Sequence, residues 1–233
     1  MPAQCLPWVC LSGFMLDETL WDDVVANLPE QQSVECRSLT QGETIAAMAD
    51  HIAMSMPEKA ILIGFSLGGY VARSLAARYP DRVAGLVLIA TSLREDTPAQ
   101  RQAKLETLEV QRHLHFRGIG RGAIIKTLRP DNNHNEVLIA HIREMSQRLG
   151  FEVLQRQSLL DRSTPVAEKI ACPTLIIAAE EDQMRSPDEQ KELQQHIPQA
   201  QLVMVANSGH MIPLEQPQKL TRIIEQWVQT NCL

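Results

Sequence analysis

Six short apolar runs alternate along the chain with longer stretches of helical period, and this alternation restricts the fold more than any other feature. The runs fall at 7–11, 33–39, 59–64, 84–91, 174–179 and 201–205. Most are continuous, as in AILIGF and AGLVLIA, rather than alternately apolar and polar, which marks strands covered on both faces. Helical patterns occupy 44–56, 67–79, 187–196 and 217–230. The prediction is an α/β class chain, a mostly parallel sheet of about six strands flanked by helices. From 92 to 169 the rhythm breaks into short helical patterns punctuated by Pro98, Pro130, Pro165, Gly118, Gly120, Gly122 and Gly150. We therefore expect a core made of residues 1–91 and 170–233, with a helical cap insertion, 92–169, lying over the sheet.

Composition narrows the function classes. Aromatics are only 4% of the 233 residues, so Leu, Ile, Val, Ala and Met must build the core. A net charge of −6 with no long basic run argues against nucleic acid as a partner. The apolar runs are far short of the ~20 residues a membrane span needs, so no membrane association is expected. MPAQCLPWVCLSG has neither a basic start nor a clean apolar stretch, and a cytoplasmic location is expected. The five cysteines, Cys5, Cys10, Cys36, Cys172 and Cys232, are widely spaced, form no C-x-x-C and read as buried reduced thiols. No metal and no cofactor are expected. The segment 92–169 holds 13 Lys and Arg against 10 Asp and Glu, but they are scattered, as on solvated helix faces. The sequence leaves monomer or homodimer open.

The strongest local signal is KAILIGFSLGGYVARSLAARY, where an apolar run ends at Gly64-Phe65-Ser66-Leu67-Gly68 and a helical pattern starts at once. G-x-S-x-G at a strand-to-helix junction is a nucleophile elbow. The turn is so tight that its glycines remove side chains that would clash, and the helix start aims N–H groups at a developing anion. A serine hydroxyl needs a base. Of seven histidines, His210 alone lies in a loop just past a final strand, QLVMVANSG, from which it can reach the elbow. A carboxylate should orient that imidazole. PTLIIAAEEDQMRSP offers Glu180, Glu181 and Asp182 past a strand, with Asp182 preferred, Glu181 its competitor and Asp188 a helix N-terminal acid. The oxyanion hole is expected from the backbone N–H groups of Leu67 and of Phe14 in LSGFMLDETLW. Phe65 and Arg162 are candidate substrate contacts.

With those residues in place, the chain resembles the α/β-hydrolase superfamily over nearly all its length. LSGFMLDETLW, IGFSLGGYVA, YPDRVAGLVLIATS, CPTLIIAAEEDQMRSP and VANSGHMIPLEQPQKL carry the likeness. Within the superfamily it looks like small bacterial serine hydrolases such as enol-lactone hydrolases and carboxylesterases. The resemblance implies an eight-stranded fold, shortened here to about six because the chain starts at what would be the third strand. It departs at Ser12, where relatives often carry His, and at Ala179, where they often carry Gly. The implied activity is cleavage of a small-molecule carboxylic ester or lactone through an acyl-enzyme on Ser66. The alternative is a lyase, or a C–C or thioester hydrolase, using the same residues on a small anionic carboxylate, with Arg112, Arg117, Arg121 and Arg162 as its carboxylate ligands. A receptor with slow turnover is a third reading. Relatives that open epoxides or remove halide use Asp where Ser66 stands.

Overall fold

The computed structural model describes residues 6–163, 170–197 and 199–233. One sheet contains β1 (Trp8–Leu11), β2 (Val34–Arg37), β3 (Ala60–Phe65), β4 (Val83–Ile89), β5 (Thr174–Ala179) and β6 (Gln201–Val205), in the order β2-β1-β3-β4-β5-β6 and parallel throughout. The six expected strands are all present. β3 runs one residue further than its apolar pattern suggested, to Phe65, so that Ser66 stands directly at its end. β4 stops at Ile89 because Ala90 turns to φ +47°.

Each apolar run feeds two cores. Trp8, Ile61, Ile63, Val87, Ile89, Leu175 and Ile177 face one side, while Val9, Leu11, Leu62, Leu86, Leu88 and Ile176 face the other. A period-two division of an unbroken apolar run is the signature of a strand covered on both faces. The first face packs on α1 (Asp22–Ala26) and on α9 (Pro217–Thr230), whose Leu220, Ile224 and Trp227 form one stripe. The second packs on α2 (Ile45–Ser55), α3 (Leu67–Arg78) and α7 (Pro187–His196). The short α1 and α8 (Ile212–Glu215) carry too few turns to show a period, and the sequence pattern did not mark them.

Between β4 and β5 the chain forms α4 (Pro98–Arg112), α5 (Arg121–Ile125) and α6 (Glu136–Ser158), the last broken at Gly150, where φ is +78°. Residues 164–169, the end of the expected insertion with its Pro165, lie outside the described residues. Met15 from the β1 loop packs with Leu108 of α4 and with Val153 and Leu154 of α6 in a third apolar cluster. The thiol expectation needs correction. Cys10 is buried, but Cys36 and Cys172 are half-buried and Cys232 is exposed; Cys5 lies outside the described residues. β2 is an edge strand and Cys232 follows the last helix, so neither thiol is covered on all sides.

Strand order reverses at β1: the chain moves outward to β2, then returns to the far side of β1 as β3. The loops leaving β1 and β3 therefore diverge, and they open the crevice in which ligands of such sheets are bound. Ser66 and the loop 12–17 flank that crevice.

Candidate active site

Ser66 is the hinge between β3 and α3, and its backbone lies at φ +50°, ψ −111°. A non-glycine residue there is strained by about 1–3 kcal/mol and persists only where its surroundings overdetermine it. Three hydrogen bonds do so: the Ser66 N–H donates to Ile89 O (2.9 Å), while Ser66 O accepts from Thr91 Oγ1 (2.8 Å) and from Gly69 N–H (3.0 Å). Close approach explains the flanking glycines. A Cβ on Gly64 would lie 2.5 Å from Gly68 O, and one on Gly68 would lie 2.3 Å from Leu11 O. Leu67 heads α3, so its N–H has no acceptor within the helix.

His210 follows β6 and is 5% exposed. Its Nε2 lies 3.0 Å from Ser66 Oγ and its Nδ1 lies 2.9 Å from Asp182 Oδ2. The Phe65 ring tilts against the imidazole at 5.2 Å between centroids. Asp182 sits past β5 in a loop held by Glu180 N–H to Val205 O and Glu181 N–H to Ser208 O, each 3.1 Å, which prolong the β5–β6 pairing. The remaining oxygen of Asp182, Oδ1, accepts from the N–H groups of Met184 (2.7 Å) and Arg185 (3.0 Å). An ionised carboxylate only accepts, so Nδ1 donates to it and Nε2 is left to accept the serine proton. Glu181 points elsewhere, 3.6 Å from the Arg129 guanidinium, and Asp188 is an exposed residue in the first turn of α7. None of the other six histidines lines the chamber above Ser66.

The β1 loop is braced from three directions. Ser12 is wholly buried; its hydroxyl donates to Asp17 O (2.9 Å) and accepts from Trp21 Nε1 (3.1 Å). Ser12 thus steadies the turn. Met15, at φ +54°, donates its N–H to Gln157 Oε1 (2.7 Å), and Gln157 Nε2 donates to Leu39 O (2.8 Å). Phe14, between them, lines the chamber.

Asp17 ties the same loop to α6 through Arg148 Nε at 2.6 Å. Burial alone would raise the Asp17 carboxyl, but Arg148 and Thr19 outweigh it and hold it below its ordinary value of 3.8. A depressed carboxyl contributes stability that is complete above its unfolded value and disappears as pH falls through its folded one. Asn keeps the helix-capping oxygen and removes the charge, so Asp17→Asn should cost about 0.5 kcal/mol near pH 6, an amount already reduced for the solvent around Arg148. Urea midpoints of wild type and variant should converge below pH ~4. A difference that persists unchanged at pH 3 would show that charge is not its source.

Glu215 of α8 is a residue that the sequence pattern did not single out. Its carboxylate accepts from Gly209 N–H (2.7 Å) and Ser208 Oγ (3.2 Å) in the histidine loop, and from Arg129 N–H (2.9 Å) and Asn132 Nδ2 (2.8 Å) in the β4–β5 connection. One side chain thereby sets the histidine loop against the chain that follows α5. No local pattern signals it, because its partners lie on two other segments.

The chamber above Ser66 measures about 260 Å³, and Phe14, Phe65, Ser66, Ile124, Ile142 and His210 are among its walls. It adjoins a wider cleft of about 760 Å³ beneath α4. Phe65 and Arg162, both expected substrate contacts, line the chamber; Lys104 and Arg185, which sequence reading missed, line it too. Arg112, Arg117 and Arg121 do not. Arg112 and Arg117 are exposed, and Arg121 pairs with Glu136 at 2.7 Å on the outer face. Among the described residues no group of three or more His, Cys, Asp or Glu could hold a metal ion, and no helix is long and apolar enough to cross a membrane.

The profile of the alpha/beta hydrolase fold matches residues 36–217, and the chain belongs to that family. Within it the chain sits among carboxylic ester hydrolases. A thermophilic esterase from Thermogutta terrifontis, solved with malate bound, is 30% identical over 97% of this chain and 90% of its own, with a TM-score of 0.81. A pimeloyl-[acyl-carrier protein] methyl ester esterase of Nitrosomonas europaea is 25% identical over 91% of both chains. The enol-lactonase of Burkholderia xenovorans LB400 shares the fold at a TM-score of 0.82 and 21% identity, covering 98% of this chain and 94% of that one.

Proposed function

We propose that this enzyme hydrolyses a small carboxylic ester or lactone through an acyl-enzyme on Ser66, with Ser66, His210 and Asp182 as its catalytic triad. The observation that carries the reading is the unbroken run of contacts, 3.0 Å and 2.9 Å, from the serine oxygen through the imidazole to the carboxylate. In the first half-reaction Ser66 Oγ bonds to the substrate carbonyl carbon while its proton passes to His210 Nε2. Asp182 stabilises the resulting imidazolium. The N–H groups of Leu67 and Phe14 receive the carbonyl oxygen as it becomes an oxyanion, an interaction worth about 3 kcal/mol per donor. Collapse breaks the ester C–O bond, and the leaving oxygen departs with the proton from His210. Water then gives a proton to His210 and its oxygen to the acyl carbon; the acid leaves and Ser66 recovers its hydrogen.

The helices between β4 and β5 act as a cap over the reacting atoms, and the working location is the cytoplasm. Chamber size favours a small acyl or alcohol group. Hydrolysis of a short methyl ester in ¹⁸O-labelled water should place one labelled oxygen in the acid released. Acid without label, or no turnover across a short ester and lactone panel, would overturn ester hydrolysis. A second reading, elimination from an anionic carboxylate by the same serine and histidine, draws on the basic side chains of the chamber wall. It predicts an unsaturated product with no oxygen taken from water.

A further inference from the structure

Three cations, Lys104, Arg162 and Arg185, line the Ser66 chamber, and no carboxylate among the described residues does. Their partners stand in the wider cleft behind them. Asp96 pairs with Lys104 and lies 3.6 Å from Arg162, and Glu189 lies 3.2 Å from Arg185. Among the described residues two carboxylates thus pair with the three cations, and positive charge is in excess at the chamber wall. The three cations are also withdrawn from solvent: Arg162 is buried, and Lys104 and Arg185 are half-buried. The buried Nε atoms of Arg162 and Arg185 have no hydrogen-bond partner among the described residues. An unsatisfied charged donor in a water-poor site is costly, so its retention calls for an acceptor that arrives from outside.

The surroundings add to the positive field. Arg73 is wholly buried, with its Cζ 4.8 Å from the Tyr70 ring centroid, and Arg162 Cζ lies 5.7 Å from the same centroid. Burial, reinforced by the nearby Arg185, brings Arg73 down to about 10. Burial and the Arg162 charge lower Lys104 despite its contact with Asp96. Arg73, Lys104 and Arg162 are each held down by desolvation and by a neighbouring arginine, as expected where positive charge is in excess.

We propose that Lys104, Arg162 and Arg185 form an anion subsite, and that the natural substrate is a small ester or lactone carrying a second, ionised carboxylate. This rests on the ester-hydrolase reading of Ser66. A carboxylate would offset that excess of positive charge. A guanidinium presents paired donors that suit its two oxygens. The apolar remainder of the chamber, Leu16, Ile119, Ile124, Ile142 and Met211, suits a short methylene chain between that carboxylate and the reacting carbonyl.

Monomethyl and dimethyl glutarate carry the same methyl ester and differ by one charge. The wild-type enzyme should show kcat/KM at least about tenfold higher for the monoester, the ordinary weight of a charged hydrogen bond, and Arg162→Met should erase that ratio. Arg112→Gln, on the exposed side of α4, should keep it. Calorimetric titration of Ser66→Ala protein with monomethyl glutarate reads the subsite without turnover. Binding should survive Arg112→Gln and be lost with Arg162→Met, or with Lys104→Met if the arginine variant does not fold. Equal rates on both esters, with a ratio that Arg162→Met leaves unmoved, would overturn the subsite while leaving ester hydrolysis intact. Arg162-dependent binding in a protein that cleaves neither ester would uphold the subsite and overturn the esterase reading. Absence of both binding and turnover overturns both.

Discussion

Ser66→Ala will lower kcat on a short ester by about 10⁴-fold or more, and adding His210→Ala to it will lower the rate little further. The reason is that the two side chains act in one proton transfer: an imidazole 3.0 Å from the serine oxygen has no proton to take once that oxygen is gone. On the proposed mechanism, residual rate in either variant would come from the N–H groups of Leu67 and Phe14, which side-chain substitution leaves in place. Asp182→Asn, nearly isosteric, should cost about 10⁴-fold by presenting the wrong hydrogen-bonding partner to Nδ1. Steady-state kinetics on the three single variants and the double variant provide the measurement. Losses that multiply in the double variant would mean that Ser66 and His210 act independently, contrary to the acyl-enzyme route.

The second large effect concerns the elbow as a piece of packing. Gly68→Ala introduces a Cβ 2.3 Å from Leu11 O, a backbone atom at the end of β1 that no rotamer change can move. α3 must then withdraw from β1, at a cost of about 3 kcal/mol, the upper part of the ordinary range for overpacking. For a chain of this length that is a fall in Tm of roughly 6–12 °C. Activity should fall further than stability, because the same displacement separates the Leu67 N–H from Phe14 across the crevice. Gly122→Ala is the matched comparison. It lies in α5, a Cβ there meets nothing within 4 Å, and the added helix propensity should leave Tm unchanged or slightly higher. A Gly68→Ala protein that melts with wild type and keeps its rate would contradict the account of why glycine stands there.

Much of this molecule was legible before any coordinates. The strands could be read because doubly buried parallel strands leave continuous apolar runs. Ser66 could be read because a strand–turn–helix junction this tight admits few residue types around its apex. His210 and Asp182 were legible by position, each in a loop just past a strand, and the structure brings the side chain of Asp182 rather than that of Glu181 to His210. The arginines were not legible. Sequence reading grouped Arg112, Arg117, Arg121 and Arg162 by neighbourhood in the chain, whereas only Arg162 turns inward. Lys104, from α4, and Arg185, from the acid loop, join it from segments far apart in sequence. Glu215 and Gln157 escaped notice for the same reason, since both bridge segments that become neighbours only on folding.

Local rules acting over a few residues, apolar periodicity, turn chemistry and helix starts, were enough to specify the parallel sheet, the elbow and the chain order of serine, acid and histidine. Packing alone decided which charges face the chamber and which side chains brace its loops. Burial and electrostatic pairing depend on distances through space, and residues such as Arg129 and Glu215, 86 positions apart, or Met15 and Gln157, 142 apart, carry no local mark of the partner they will meet.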